Sequence, residues 1–173
     1  MKKIALTGGI GTGKTHISQY FIQMGIPVFY ADEEAKKCYN DPEIIETIHS
    51  YFGNKVFTKR KIDFKKMATY VFQHPKKREL VNHLIHPKVM ERFDAWAELQ
   101  TTPSVMMESA ILFENDLAKF FDMVIVVDAP MEVRLERIKK RNPNLTEKEI
   151  IDRINAQMPQ EEKCKRADMV IKN

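Results

Sequence analysis

The stretch Gly8-Gly9-Ile10-Gly11-Thr12-Gly13-Lys14-Thr15 decides the fold of this chain. It fits the pattern G-x-x-x-x-G-K-[ST], the P-loop, in which backbone N–H groups surround phosphate oxygens. Its glycines let the backbone turn tightly with no Cβ between the N–H groups and the ligand. Lys14 is placed to reach the β- and γ-phosphates, and the Thr15 hydroxyl to ligate Mg²⁺. The stretch therefore predicts a site for a nucleoside triphosphate.

The residues on either side predict a strand before the loop and a helix after it. The segment from Lys2 to Thr7 has the apolar content of a short buried strand. Four apolar residues then recur at i, i+3, i+4 and i+7, which is one face of a helix: Ile17, Tyr20, Phe21 and Met24. Gly25 is expected to end this helix. Strand, loop and helix in this order form the context that the motif requires.

Four further segments have the pattern of strands. They are residues 26–30, 104–107, 123–128 and 167–171. The run 123–128 is continuously apolar, which is typical of a strand buried on both faces of a parallel sheet. We therefore expect an α/β fold with a five-stranded parallel sheet and helices on both faces.

Residues 41–101 carry mainly helical patterns between the second and third strands. Asp41 and Asp63 are expected to cap helices, and His86-Pro87 to end one helix before the next begins. A minimal crossover between parallel strands needs only about a dozen residues. An insertion of this length favours a role in binding a substrate, with additional packing as the alternative.

Three carboxylates lie at or near strand ends. Asp32 follows the second strand, and ligands of open parallel sheets bind outside the carboxyl ends of strands. The same residue is suited to cap the helix after it, and both interpretations stay open. Glu108 ends the third strand, from where a carboxylate approaches Mg²⁺ or its waters. We interpret Glu114 as a solvated loop charge.

Arg134, Arg137 and Arg141 are spaced i, i+3 and i+7, so they share one face of a predicted helix. Arginine suits phosphoryl oxygens that gain charge during transfer, whereas an ordinary solvated face is the alternative. Thr146 and Glu149 form a capping box for the following helix. The two helices are suited to close over a bound nucleotide as a lid.

The composition limits the classes of protein to which this chain can belong. Of 173 residues, 43% are hydrophobic and 30% charged, which is ordinary for a globular chain, and no apolar run has the length of a membrane helix. Cys38 and Cys164 lie in separate segments and imply no disulfide framework, so we expect a cytoplasmic protein. The net charge of +4 is divided among small basic clusters separated by acidic residues. This pattern disfavours nucleic acid as a partner.

A P-loop alone is compatible with a kinase, an ATPase motor or a GTPase switch. Guanine recognition commonly uses Asn-Lys-x-Asp, and Asn54-Lys55-Val56-Phe57 lacks the aspartate, which disfavours a switch. The helical insertion and the arginine-bearing helices favour a small-molecule kinase that encloses both substrates. Two alternatives stay open: a nucleoside or nucleotide kinase with another acceptor, and a basic P-loop protein that binds nucleic acid or has a regulatory role.

Over its whole length the chain resembles the dephospho-coenzyme A kinase family. The resemblance rests on these motifs in this order: Leu6-Thr7-Gly8-Gly9-Ile10-Gly11-Thr12-Gly13-Lys14-Thr15, Ala31-Asp32, Leu84-Ile85-His86-Pro87, Leu112-Phe113-Glu114, Arg137 with Arg141, Gln157, and Ala167-Asp168-Met169-Val170-Ile171-Lys172-Asn173. The Thr-Gly-Gly-Ile-Gly form of the loop, with Ala-Asp after the second strand, is more specific than the P-loop alone.

The resemblance implies a P-loop kinase in which ATP phosphorylates the ribose 3′-hydroxyl of dephospho-coenzyme A, giving coenzyme A and ADP. It implies a nucleotide-binding core at residues 1–35, 102–130 and 160–173. Between these segments it implies a helical acceptor domain at 36–101 and a helical lid at 131–159. ATP and dephospho-coenzyme A would be the small-molecule partners, with neither a nucleic acid nor a membrane involved.

The resemblance also implies roles for particular residues. Asp32 would accept the hydroxyl proton or orient the hydroxyl, and Lys14, Arg137 and Arg141 would complete the catalytic set. Mg²⁺ would bind at Thr15. The implied ATP-binding residues are Gly9, Ile10, Gly11, Thr12, Gly13, Lys14, Thr15 and His16.

The sequence departs from the family pattern at three places. Tyr30-Ala31-Asp32 stands where Asp-Ala-Asp is frequent, which leaves Asp32 as the one candidate base there. Ala110 stands where proline is common. The family usually continues beyond the position of Asn173 through a glycine and a closing helix, so that helix is either absent or outside this sequence.

Overall fold

The computed structural model describes residues 1–59 and 61–173. Two compact units are present: Met1–Ala31 with Ala97–Asn173, and Asp32–Trp96. The first unit contains a five-stranded sheet, and the second is mainly helical. Among the residues in these ranges, no helix combines the length and the apolar content that crossing a bilayer requires.

The strands and helices of the chain have the following bounds. The strands are β1 (Lys2–Thr7), β2 (Val28–Tyr30), β3 (Phe57–Thr58), β4 (Lys61–Ile62), β5 (Ser104–Glu108), β6 (Met123–Asp128) and β7 (Met169–Lys172). The helices are α1 (Lys14–Gln23), α2 (Ala31–Cys38), α3 (Pro42–Phe52), α4 (Phe64–Gln73), α5 (Pro75–Glu98), α6 (Met131–Arg141), α7 (Glu147–Asn155) and α8 (Gln160–Arg166).

The sheet has the strand order β2-β5-β1-β6-β7, and its neighbouring strands are parallel. Its buried centre is formed by Leu6, Met106, Ile125 and Val127. The predicted five-stranded parallel sheet is therefore confirmed. In register, Leu6 of β1 lies beside Glu108 of β5, so the P-loop and this carboxylate leave the sheet at the same edge. That edge is where open parallel sheets bind their ligands.

Helix α1 packs on the sheet through a different face from the one that its apolar spacing predicts. Ile17 and Phe21 contact the core as expected, but Tyr20 and Met24 are 51% and 66% exposed. Ser18 is buried instead, because its hydroxyl donates to the Thr15 carbonyl and pairs with the Tyr30 hydroxyl. The inward face of α1 thus includes Ser18 and excludes Tyr20, and Met24 follows the last helical residue.

In the second unit, α3 and α4 begin with the predicted caps. The Asp41 carboxylate accepts from the Glu43 N–H at 3.0 Å, and Asp63 accepts from Lys65 and Lys66 N–H at 3.0 and 3.1 Å. Such caps stabilise a helix by about 1 kcal/mol each. Between them, β3 and β4 form a short antiparallel hairpin. The helix faces bury Ile44, Ile48, Phe52, Val56 and Met67.

The predicted break at His86-Pro87 is wrong, because α5 continues through Pro87 as one helix. A proline inside a helix removes one backbone hydrogen bond, at a cost of about 3 kcal/mol. Here the buried residues Val81, Ile85, Val89 and Phe93 recur every four positions on both sides of the proline. The continuous apolar stripe therefore offsets the local preference of the proline, which is itself exposed.

Candidate active site

The P-loop joins β1 to α1, and its lysine lies across the loop. Lys14 is only 9% exposed, and its Nζ donates to the carbonyl of Gly8 at 3.0 Å and of Gly9 at 3.4 Å. Gly11 has a φ of 84°, a left-handed conformation that glycine adopts without strain. The backbone conformation at Gly11 would therefore be strained with any L side chain. The buried Lys14 ammonium lies against the loop carbonyls.

The second half of the loop presents backbone donors. Within residues 1–59 and 61–173, no backbone carbonyl or side chain accepts from the N–H groups of Gly11, Gly13 or Thr15. Thr12, by contrast, donates to the Gly9 carbonyl within the loop. Helix α1 begins at Lys14, so the partial positive charge of its N-terminus raises the electrostatic potential at these N–H groups. Backbone donors at a helix N-terminus form a site suited to a phosphate group.

Thr15 and Glu108 bring two oxygen ligands together. The Thr15 hydroxyl donates to Glu108 Oε2 at 3.1 Å, and Glu108 is 7% exposed at the end of β5. A hydroxyl and a carboxylate are hard oxygen donors of the kind that Mg²⁺ prefers. The donor set therefore fits the magnesium ion that the sequence predicts for Thr15.

The three arginines of α6 have different environments. Arg134 is 4% exposed and donates from Nε to the Ile10 carbonyl at 3.0 Å. Arg137 donates from Nη1 to the Thr12 carbonyl at 3.2 Å, whereas Arg141 has no such contact with the loop in the described part of the chain; both residues are exposed. Burial lowers the pKa of Arg134, and the charge of Asp128 opposes this effect. Arg134, which the resemblance gave no role, thus supports the loop directly.

Helices α6 and α7 form a small packed pair against the loop. The predicted capping box is confirmed, since Thr146 Oγ1 accepts from the Glu149 N–H and the Glu149 carboxylate accepts from the Thr146 N–H. Their shared core consists of Ile138, Ile150 and Ile154, and Ile10 of the P-loop packs against it. The loop is therefore in apolar as well as polar contact with these helices.

Three amide side chains from the end of the chain also contact the loop. Gln157 Oε1 accepts from the Ile10 N–H at 2.8 Å, and Gln160 Oε1 accepts from the Gly9 N–H at 2.8 Å. Asn173 Nδ2 donates to the Thr12 carbonyl at 2.8 Å. The sequence indicates Gln157 and Asn173 only as parts of the family motifs, and no motif includes Gln160. No spacing rule indicates contacts between residues so far apart in sequence.

Glu114 lies in an exposed turn, as expected, but its side chain is only 21% exposed and its carboxylate is paired. Its Oε1 accepts from Lys163 Nζ at 2.8 Å and from the Met158 N–H at 2.9 Å. Lys163 has no exposed surface and also donates to the Ala110 carbonyl at 2.7 Å. The ion pair fastens the turn after β5 to α8. A buried lysine needs such partners, because an isolated buried ammonium is strongly unfavourable.

Asp32 lies in the first turn of α2. That helix begins at Ala31, directly after β2, so Asp32 follows the first helical residue and does not occupy the capping position. A carboxylate in the first turn is favoured by the helix dipole. Tyr30, which replaces the frequent aspartate, directs its hydroxyl to Ser18 and Gln19, both at 3.0 Å. Tyr30 therefore ties the end of β2 to α1.

The parallel sheet, the loop between β1 and α1 and the arginines that reach this loop define a P-loop kinase. The family model for dephospho-CoA kinase matches residues 2–173. The dephospho-CoA kinase of Bacteroides fragilis strain YCH46 is 41% identical over 173 residues, covering 99% of this chain and 84% of the relative. The chain therefore belongs to the dephospho-CoA kinase family.

Solved structures agree with this assignment. The crystal structure of TT1252 from Thermus thermophilus has a TM-score of 0.90 at 30% identity, covering 99% of this chain and 88% of that one. The dephospho-CoA kinase from Campylobacter jejuni has a TM-score of 0.68 at 25% identity, with 99% and 87% covered. The similarity thus extends through the sheet, the insertion and the final helices.

Proposed function

We propose that this chain transfers the γ-phosphoryl group of ATP to the ribose 3′-hydroxyl of dephospho-coenzyme A, giving coenzyme A and ADP. This reaction is the last step of coenzyme A biosynthesis. The observation that carries the proposal is the family match over residues 2–173, which includes the nucleotide-binding loop and the helical insertion alike. The P-loop geometry supports it independently, because at the start of α1 no acceptor in the described part of the chain engages the N–H groups of Gly11, Gly13 and Thr15.

The loop residues 9–16 hold the phosphates of ATP in this proposal. The N–H groups of Gly11, Gly13 and Thr15 donate to phosphate oxygens, since no other acceptor engages them in the described chain. Lys14 turns from the carbonyls of its own loop toward the β- and γ-phosphates. Such prepositioned donors stabilise charge that develops as the phosphoryl group moves.

Asp32 acts as the base or orienting group. Its place in the first turn of α2, directly after β2, supports this role. As the ribose oxygen forms its bond to the γ-phosphorus, the hydroxyl proton passes to the Asp32 carboxylate. The bond to the bridging oxygen breaks, and ADP leaves with that oxygen. A positioned carboxylate in this role contributes about 10²–10⁴-fold to the rate.

Thr15 would hold Mg²⁺ through its hydroxyl, with the Glu108 carboxylate beside it as a second oxygen donor. The 3.1 Å contact between Thr15 Oγ1 and Glu108 Oε2 supports this assignment. When bound, the ion neutralises charge on the β- and γ-phosphate oxygens.

The remaining parts of the chain have separate roles in the proposal. Residues 1–35, 102–130 and 160–173 form the nucleotide-binding core, residues 36–101 bind the acceptor, and residues 131–159 form the lid. Arg137 and Arg141 on the lid approach the transferring phosphoryl group. The partners are small molecules and include no nucleic acid. The free thiols of Cys38 and Cys164 fit a reducing compartment, and we place the reaction in the cytoplasm.

An acceptor screen tests the proposed function. The chain is incubated with γ-labelled ATP, Mg²⁺ and a panel containing dephospho-coenzyme A, nucleosides, nucleoside monophosphates and a polynucleotide. We expect label to transfer to dephospho-coenzyme A at a rate at least a hundred times that of any nucleoside. Comparable transfer to nucleosides, with none to dephospho-coenzyme A, would refute the proposal.

A further inference from the structure

Side chains from distant parts of the sequence hold the first half of the P-loop. Both backbone polar groups of Ile10 are bound, since its N–H donates to Gln157 and its carbonyl accepts from Arg134. The Gly9 N–H donates to Gln160. The Gly9 carbonyl accepts from Thr12 within the loop. The backbone N–H and the carbonyl of Gly9, and those of Ile10, therefore each have a protein partner.

Gln160 makes a bridge that uses both ends of its amide. Its Oε1 accepts from the Gly9 N–H at 2.8 Å, while its Nε2 donates to the Val127 carbonyl at 2.9 Å. Val127 belongs to β6, which pairs with β1 through the strand residues before the loop. A neutral amide provides an acceptor and a donor on one flat group, which neither a carboxylate nor an apolar chain does. The glutamine thus ties the start of the loop to the end of a central strand.

The packing around Gly9 agrees with this arrangement. A Cβ placed on Gly9 would lie 2.5 Å from Arg134 Nη2 and 3.1 Å from Gln160 Oε1. A side chain at this position would therefore displace the ends of the Arg134 and Gln160 side chains that approach the loop.

We propose that Gln157 and Gln160 are positioning residues, here called the glutamine clamp, that fix the two peptide planes flanking Gly9. With these planes fixed, the N–H groups of Gly11, Gly13 and Thr15 point to the phosphates before ATP arrives. Preorganised donors bind and stabilise charge more strongly because no free energy is lost in ordering them. The expected effect on kcat rests on the proposed function. The expected effect on nucleotide affinity does not, because ADP binds without the acceptor.

The near-isosteric change Gln160→Met tests the clamp, because it removes the acceptor and the donor together. We expect the dissociation constant for ADP to rise about fivefold to tenfold, the effect of one or two lost hydrogen bonds. Hydrogen exchange at the Gly9 N–H, followed by NMR, should accelerate by a similar factor. In the kinase assay, kcat should fall while KM for dephospho-coenzyme A stays within about twofold. Gln160→Asn, one methylene too short to span both partners, should behave in the same way.

Gln23→Met is the matched control, since Gln23 is exposed at the end of α1. It should leave ADP affinity, Gly9 exchange and kcat unchanged. Unchanged ADP affinity and Gly9 exchange in folded Gln160→Met and Gln160→Asn would overturn the inference. Failure of the proposed function has a different signature: the unmodified chain would then bind ADP, and the Gln160 variants would still weaken that binding, but dephospho-coenzyme A would not be phosphorylated.

Discussion

Replacing Lys163 with methionine is expected to destabilise the folded chain strongly. Lys163 is completely buried on α8, and its Nζ donates to Glu114 at 2.8 Å and to the Ala110 carbonyl at 2.7 Å. Methionine fills nearly the same volume but has no charge and no donor. Of the two groups that donate to the Glu114 carboxylate, only the Met158 N–H would remain in the variant. The Ala110 carbonyl would lose the hydrogen bond that it accepts from Lys163.

The structure sets the size of this effect. Removing one partner of a buried ion pair costs about 3–5 kcal/mol. The Glu114 side chain is 21% exposed, so water compensates for part of the loss. We therefore expect a decrease of about 3 kcal/mol in the free energy of unfolding, the lower end of that range. In the double variant Lys163→Met with Glu114→Gln, the total loss should be smaller than the sum of the single losses by about 1–3 kcal/mol.

Urea unfolding followed by far-UV circular dichroism measures these free energies. Lys165→Met is the control, because Lys165 pairs with Glu161 on the same helix but its side chain is 65% exposed. An exposed pair contributes little, so this variant should unfold at nearly the same urea concentration as the unmodified chain. Equal destabilisation by the changes at positions 163 and 165, or strictly additive losses in the double variant, would refute the reasoning.

Two further predictions concern the proposed base and the partly buried imidazole of His86. Asp32→Asn should lower kcat at least a hundredfold with little change in ATP affinity, as steady-state kinetics and nucleotide titration would measure; an unchanged kcat would remove Asp32 from the mechanism. Burial, aided by the charge of His83, lowers the pKa of His86 from 6.5 to about 4 in the folded chain. The unfolded chain therefore binds the proton first, and stability present above pH 6.5 should be lost as the pH falls toward 4. His86→Gln should flatten this part of the stability profile in urea unfolding, and an identical slope would contradict the assignment.

The sequence predicts the elements of this fold where the signal is local. The P-loop, the apolar run Met123–Asp128 and the caps at Asp41, Asp63 and Thr146 each depend on residues within a few positions of one another. Residue type and spacing are sufficient for such features, because strand burial and capping are short-range effects. The resemblance to a known family then supplies the acceptor, which no local pattern specifies.

The sequence does not predict features that arise from packing between distant segments. Gln160 contacts Gly9 across 151 positions, and the partner of Glu114 lies on α8. Neither contact has a sequence signal, since a lone glutamine or lysine on a short helix is usually solvated. The unbroken course of α5 through Pro87 has the same origin, because tertiary burial outweighs the local cost of a proline.

The position of the new phosphate tests the central claim most directly. The chain is given γ-labelled ATP, Mg²⁺ and equal concentrations of dephospho-coenzyme A and its analogue with hydrogen in place of the ribose 3′-hydroxyl, with Lys14→Ala as the inactive control. Our account predicts that all transferred label appears as the 3′-phosphate of coenzyme A and that the analogue and the Lys14→Ala variant yield none. Label on the analogue, or release of phosphate without transfer, would contradict it.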